Sequence, residues 1–191
     1  MPDSDLRSGT ATASKRAAPT VDDDAMANAR STARVMALVR MLVGVLWLTN
    51  VNWKMPPTFG EGGGGLYGFT KDAVDHPVFA PFSWVVEHLV LPHFVPFGWG
   101  VFLVESLLGA CLLLGIATRF WGIVGTLQAM AIGMSVALTP HEWPWSYYMM
   151  VALCLVIAAT APGRTWGLDG LARPAWRARS GLLSRLMLRL S

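Results

Sequence analysis

Charged side chains are scarce in this sequence. Only 14% of its 191 residues are Asp, Glu, Lys or Arg, against roughly a quarter in an ordinary soluble domain, and 53% are hydrophobic. That balance argues against a water-soluble enzyme. Cysteine is nearly absent as well. Cys111 and Cys154 both lie inside apolar runs, which supports neither a disulfide framework nor a cysteine-rich zinc site. The formal net charge is only +3, and its positive residues gather at the two chain ends rather than on one accessible face, so no nucleic-acid partner is expected. The glycine run Glu61-Gly62-Gly63-Gly64-Gly65 lacks the following Lys-Ser/Thr of a phosphate loop and reads as a flexible linker. No histidine pair has zinc-ligand spacing, so no metal site is expected. Motifs for haem, flavin or iron–sulfur clusters are also missing.

What the chain does have is long apolar runs. Residues 1–32 are rich in Ala, Ser, Thr and Asp and too polar to offset the entropy of ordering, which predicts a disordered cytoplasmic tail. The first apolar segment leads into Asn52-Trp53-Lys54 rather than a small-residue cleavage site, unlike a signal peptide. Four apolar segments follow, at 33–54, 98–118, 120–139 and 144–161. Each is close to the roughly 20 residues that span a bilayer core. The expectation is an all-α integral membrane protein of the cell membrane, a four-transmembrane-helix bundle over residues 33–171. Arg7, Lys15, Arg16, Arg30 and Arg34 precede the first span, Arg119 joins the second and third, and six arginines follow the fourth. By the positive-inside rule both termini are cytoplasmic, while the loops 55–97 and 140–143 face outward.

Within the long outer loop, a short helix over 82–91 is expected to lie along the interface, since prolines bound it and it is too short to span. Residues 172–191 are expected to form a basic amphipathic helix, with Trp176, Leu183, Leu186, Met187 and Leu190 at helical spacing. Such a helix suits an anionic inner leaflet, or else a partner protein.

Polar groups at membrane depth are the informative ones, because ionised side chains there are costly and usually face the bundle interior with a partner. Arg40 and Glu105 are the main two. Arg40 and Lys54, like Glu105 and Arg119, stand fourteen residues apart, which leaves each pair within about 40° on its helix. The first span therefore carries Arg40, Gly44, Trp47, Val51 and Lys54 on one stripe, and the second carries Glu105, Gly109, Leu112, Ile116 and Arg119. Gly44 and Gly109 allow close backbone approach. If the stripes face each other, Glu105 is neutralised by Arg40, by Lys54, or by both. The plain reading is a buried ion pair that fixes helix register. The functional one makes Glu105, Arg40 and Lys54 candidate catalytic residues, with Gln128, His141 and Trp47 as candidate cofactor-binding residues. His141-Glu142-Trp143 is the strongest outer cluster. The two cysteines read as small apolar fillers.

Arg40-x3-Gly44 with Lys54 closing the first span, Glu105-x3-Gly109 followed by Leu113-Leu114-Gly115-Ile116-Ala117-Thr118-Arg119, and the closing Gly163-Arg164-Thr165-Trp166-Gly167-Leu168-Asp169 resemble the DoxX/DoxD membrane family over residues 34–171. The long outer loop and the closing motif look closest to the DoxD branch, the membrane subunit of thiosulfate:quinone oxidoreductase. This resemblance implies a quinone-linked redox subunit, a membrane quinone as cofactor, and a protein partner or homo-oligomer within the lipid bilayer. A non-enzymatic membrane anchor or assembly partner for a redox or envelope complex is the alternative. A small-solute carrier fits less well, since no internal repeat is evident.

Overall fold

The computed structural model describes residues 21–54 and 56–191. Every regular element among them is helical, and there is no strand. Helix α1 (Val21–Val51) is 31 residues long. Residues 21–32 were expected in the disordered tail, yet they form its first turns; the rest of that tail, 1–20, lies outside the described residues. The reason is local. Ala25, Met26, Ala27 and Arg30 are good helix formers, Asp22 and Asp24 favour the positive end of a helix, and the apolar turns beyond supply the costly nucleus.

Helix α2 (Gly65–Asp75) follows the glycine run. Next comes α3 (Ala80–Val85), a π-helical turn Val86–Val90, a 3-10 turn Leu91–His93 and α4 (Phe94–Leu114). The outer helix expected at 82–91 is therefore not a separate element. It runs into α4 as one helical stretch, Ala80–Leu114. Pro92 has no N–H to donate, and the helix widens before it and tightens around it instead of stopping. Helices α5 (Thr118–Val136) and α6 (Pro144–Thr160) complete the set of long helices. Asp24–Val51 and Ala80–Leu114 are long and apolar enough to cross a membrane; α6 is apolar but has only 17 residues. The C-terminal segment is two helices rather than one. α7 (Leu168–Arg177) contains Pro174, and α8 (Leu182–Leu190) starts after a break at Ser180 and Gly181.

α1 lies along α4 and α5 along α6. A shared core of Val43, Trp47, Leu108, Leu112, Ala129, Cys154 and Ile157 joins the two pairs. Both pairings depend on glycine. A Cβ on Gly44 would stand 2.7 Å from the Leu113 main-chain nitrogen, and one on Gly109 would stand 3.0 Å from the Gly44 oxygen. Gly122 meets the Ala158 nitrogen in the same way, at 2.6 Å. The expected close approach at Gly44 and Gly109 is thus present.

The glycine run is not a free linker. The Gly63 and Gly64 N–H groups donate to the Gly60 carbonyl at 3.2 and 3.1 Å, in a turn for which Gly60 takes φ of +82°. Just before it, Phe59 is fully buried and its ring occupies the space a Cβ on Gly98 would need. This anchor sets α2 against α5 and the π-helical turn.

Gly44→Ala is expected to destabilise the detergent-solubilised protein by about 1–3 kcal/mol, the usual cost of overpacking. Gly68→Ala, whose Cβ meets nothing within 4 Å, is expected to gain about 0.5–1 kcal/mol of helix stability. Thermal unfolding of the two variants checks this, and equal midpoints would refute the backbone contact.

Candidate functional site

α1 ends where Asn52-Trp53-Lys54 turn out of the helix before Pro56 and Pro57, which cannot continue it. The turn swings the Lys54 side chain back along α1. Its ammonium donates to the Asn50 carbonyl at 3.2 Å, lies 4.8 Å from the Trp53 ring centre and pairs with the Glu105 carboxylate of α4. Glu105 is fully buried and Lys54 nearly so. The same carboxylate accepts from the Asn50 side-chain amide at 3.3 Å and, on its other oxygen, from Gln128 of α5 at 3.0 Å. Donors from two further helices therefore converge on one acid of α4. A buried charge held this way has its desolvation cost offset by a counter-charge and by satisfied lone pairs.

The network forms the polar part of a cavity of about 400 Å³. Phe69 of α2, Phe82 of α3, Val86 and Val90 of the π-helical turn and Val101 of α4 give it an apolar wall. A second polar group lines it near the start of α6, where the Tyr147 hydroxyl donates to Glu142 at 2.6 Å. Gly133 of α5 packs against it: a Cβ there would be in ordinary contact, 3.4 Å from that of Tyr147. Gly133 follows Gln128 by five residues, which separates the two polar groups by about 7 Å along α5. The cavity walls thus carry one cation, Lys54, against two carboxylates, Glu105 and Glu142.

Of the expected catalytic residues, Lys54 and Glu105 are brought together and Arg40 is not. Helices α1 and α4 run antiparallel, so each step toward the start of α1 moves toward the end of α4. Asn50 faces Glu105, whereas Arg40 faces Gly115, ten residues on, or about 15 Å along the helix. There the Arg40 guanidinium is fully buried, donates to the Trp166 carbonyl at 3.0 Å and feels the charge of Asp169. Asp169 in turn accepts from the Ala117 and Thr118 N–H groups, at 2.7 and 3.0 Å, and from the Thr118 hydroxyl at 2.9 Å. It caps α5 from 51 residues away in the sequence. Ala117 precedes α5 in the left-handed region and offers no side-chain cap of its own.

The expected cofactor residues divide in the same way. Gln128 lines the cavity beside Glu105. Trp47 is buried in the shared core and borders an adjoining recess of about 360 Å³ that shares Asn50, Trp53, Ile132 and Tyr147 with the cavity. His141 is exposed and absent from the cavity wall; its neighbour Glu142 is the residue that reaches in. Sequence reasoning missed Asn50, Tyr147 and Asp169 as site or clasp residues. Asn50 could have been found one turn before Lys54 on the same stripe, and Tyr147 through its five-residue spacing from Glu142. Asp169 stood in the closing motif, but nothing local ties it to Thr118. Both cysteines are free thiols, and among the described residues no cluster of metal-binding side chains occurs.

Compared with known proteins, the chain matches no family model, no curated protein and no solved structure.

Glu105→Gln leaves the Lys54 ammonium buried without a counter-charge and is expected to cost about 3–5 kcal/mol. Lys54→Met combined with Glu105→Leu should recover most of that loss, because both charges are then gone. Unfolding midpoints of the single and double variants in detergent decide it, and a single variant as stable as wild type would mean that the pair carries no weight.

Proposed function

We propose that this chain is a four-span membrane protein of the DoxX/DoxD kind, with both termini cytoplasmic, and that its cavity binds a membrane quinone. Support for the four spans comes from the distribution of side chains. Leu38 and Leu42 of α1, Leu103 and Leu107 of α4, Ile123 and Leu127 of α5, and Leu155 and Val156 of α6 all point outward. Arg40, Lys54 and Glu105 are inside. That inversion suits helices whose solvent is lipid. Arginines crowd the end where α4 turns into α5 and α6 leads into α7, while the cavity opens at the other end, beside α2 and α3. By the positive-inside rule the cavity faces outward.

The observation that carries the ligand reading is the apolar cavity with a buried ion pair in its wall. Its volume falls within the roughly 300–1,000 Å³ of small-molecule sites, and a few placed polar groups against apolar walls are the usual recipe for orienting such a ligand. The residues present fit a quinone. Lys54 and Gln128 would donate hydrogen bonds to its oxygens through the N–H groups that Glu105 and Asn50 leave free, and Phe69 and Phe82 would cover its ring. When bound, a quinone supplies reversible transfer of electrons together with protons. Glu105 is the group able to hold a proton at the carboxylate beside Lys54. Thiosulfate does not fit the same place, because a small dianion would meet two carboxylates and an ammonium already paired. We therefore read the chain as the quinone-binding subunit of a redox complex, with sulfur chemistry left to a partner. The non-enzymatic anchor remains the second reading. It is favoured by the complete hydrogen bonding of Glu105, which a purely structural lock would also require.

The test is titration of the purified protein in detergent with a short-chain ubiquinone, followed by tryptophan fluorescence, since Trp53 borders the cavity. Saturable quenching is expected. Ala131→Phe, which fills the cavity, should weaken binding by at least about tenfold, whereas Leu127→Phe on the exposed face of α5 should not. Quenching that never saturates, or that ignores Ala131→Phe, would leave the anchor as the better account.

A further inference from the structure

Four arginines from three elements gather at the end of the molecule opposite the cavity. Arg119 stands in the first turn of α5, Arg164 in the 3-10 turn Pro162–Arg164, and Arg173 and Arg177 one helical turn apart on α7. The clasp through Asp169 holds them there, because it seats the start of α7 on the first turn of α5. Their charges act on one another: burial and then the positive fields of Arg173 and Arg119 push the Arg164 guanidinium below its ordinary value. None of the four is within salt-bridge distance of an Asp or Glu carboxylate among the described residues. Asp169, the nearby acid, is committed to the N–H groups of α5.

Part of their hydrogen-bonding capacity is used by the end of α8. Arg164 donates to the Ser191 main-chain oxygen at 3.0 Å, and Arg173 to the Leu188 carbonyl and to Ser191 at 2.9–3.1 Å. Part of it is unused. The Arg119 Nε is buried without a partner, and Arg177 is exposed. A cation in the first turn of a helix is also repelled by the positive end of that helix. Clustered cations with a buried donor left unmet call for an anion that accepts several hydrogen bonds, and phosphate oxygens suit arginine forks well.

The surroundings say which phosphate. α7 and α8 expose Leu171 at 78%, Leu182 at 85% and Leu183 at 64%, and Trp166 beside them is 59% exposed. A free phosphate in water has no use for these side chains, whereas a lipid covers them with its acyl chains while its headgroup meets the arginines. We propose that Arg119, Arg164, Arg173 and Arg177 form a headgroup site for an anionic phospholipid, with the leucines of α7 and α8 lying in the surrounding acyl layer. This rests on the membrane reading above and does not depend on the quinone. It also gives the short C-terminal helices a job: they are a collar that fastens the arginine-rich end to its leaflet.

The experiment is native mass spectrometry of the full chain, purified in detergent and offered equal amounts of phosphatidylglycerol and phosphatidylcholine. Retained phosphatidylglycerol is expected to exceed phosphatidylcholine by about tenfold. Arg177→Gln, at an exposed position that endangers no packing, should reduce that preference several-fold, and Arg119→Gln/Arg177→Gln should nearly abolish it with helicity unchanged. Inorganic phosphate in millimolar excess should not displace the lipid. Equal retention of the two lipids, or a preference untouched in both variants, would overturn the site. Displacement by phosphate would overturn the lipid assignment in favour of a soluble anion. A chain that stays in solution without detergent would overturn the membrane reading and this inference with it, whereas a detergent-dependent chain lacking headgroup preference overturns this inference alone.

Discussion

The carboxylate of Glu105 is the constraint around which the rest is arranged. An ionised acid among Val101, Leu108 and the helices behind them survives only with a counter-charge and filled lone pairs. Lys54 supplies the charge from the end of α1, while Asn50 and Gln128 supply further donors. One residue thereby fixes the register of α1 on α4 and the rotation of α5. A slip of α1 by one turn would carry Lys54 about 5 Å from its partner. The glycine contact between Gly44 and Gly109 then follows from the same register, about one turn further along α4. Apolar packing alone specifies such a register weakly, because leucine surfaces look alike from turn to turn.

A second polar knot ties the opposite end. Asp169 satisfies N–H groups at the start of α5 that no local side chain could reach, and Arg40 crosses from α1 to hold the Trp166 carbonyl. Gly115 and Gly167 are the backbone positions that let the guanidinium in; a Cβ on Gly115 would lie 2.0 Å from its Nη1. The two knots differ in kind. Around Asp169 a carboxylate, a hydroxyl and main-chain N–H groups bond directly to one another, which suits a clasp. Around Glu105 the polar groups border open space, which suits binding. Identical logic, a buried charge with partners on other helices, thus yields structure at one end and a candidate site at the other.

The sequence made the long helices legible because apolar runs of that length are unmistakable. It made Lys54 and Glu105 legible because charges there are rare. The stripe spacing correctly set Gly44 against Gly109. It also suggested Arg40 for Glu105, and that failed for a geometric reason: lying on the correct face says nothing about depth, and antiparallel helices send Arg40 and Glu105 to different levels. Element boundaries went astray where local signals were read too strictly. Pro92 read as a helix end, but a π-helical turn absorbs it, and the single helix expected over 172–191 is broken at Ser180 and Gly181 rather than continuous. The polar composition of 21–32 pointed to disorder, although a helix already nucleated downstream extends through it at little cost. α2 escaped notice because the glycines before it read as a linker, and only the buried Phe59 reveals that they form a turn. His141 was preferred to Glu142 on chemical versatility, which carries no information about which neighbour faces inward.

Charge asymmetry links the two ends to what each can receive. Beside the cavity, Glu61, Asp72, Asp75, Glu87 and Glu142 outnumber the basic residues Lys54 and Lys71. Lys71 is spent locally on Asp75. An anion approaching from that side is repelled before it reaches Lys54, and inside it would compete with Glu105 for a single ammonium. A neutral, mostly apolar molecule meets neither obstacle. Around the same end, Trp143, Trp145 and Tyr148 stand exposed at the start of α6, the kind of ring that settles at the headgroup level of a bilayer. On the membrane reading, this puts the cavity just beneath the outer interface, within reach of a ligand already dissolved in lipid. The opposite end offers the reverse: clustered arginines, one with a buried donor unmet, among exposed leucines, which would suit a headgroup that stays in place. On the proposed reading, the polarity that would orient the chain by charge would also separate an apolar ligand that must come and go from an anionic lipid that need not.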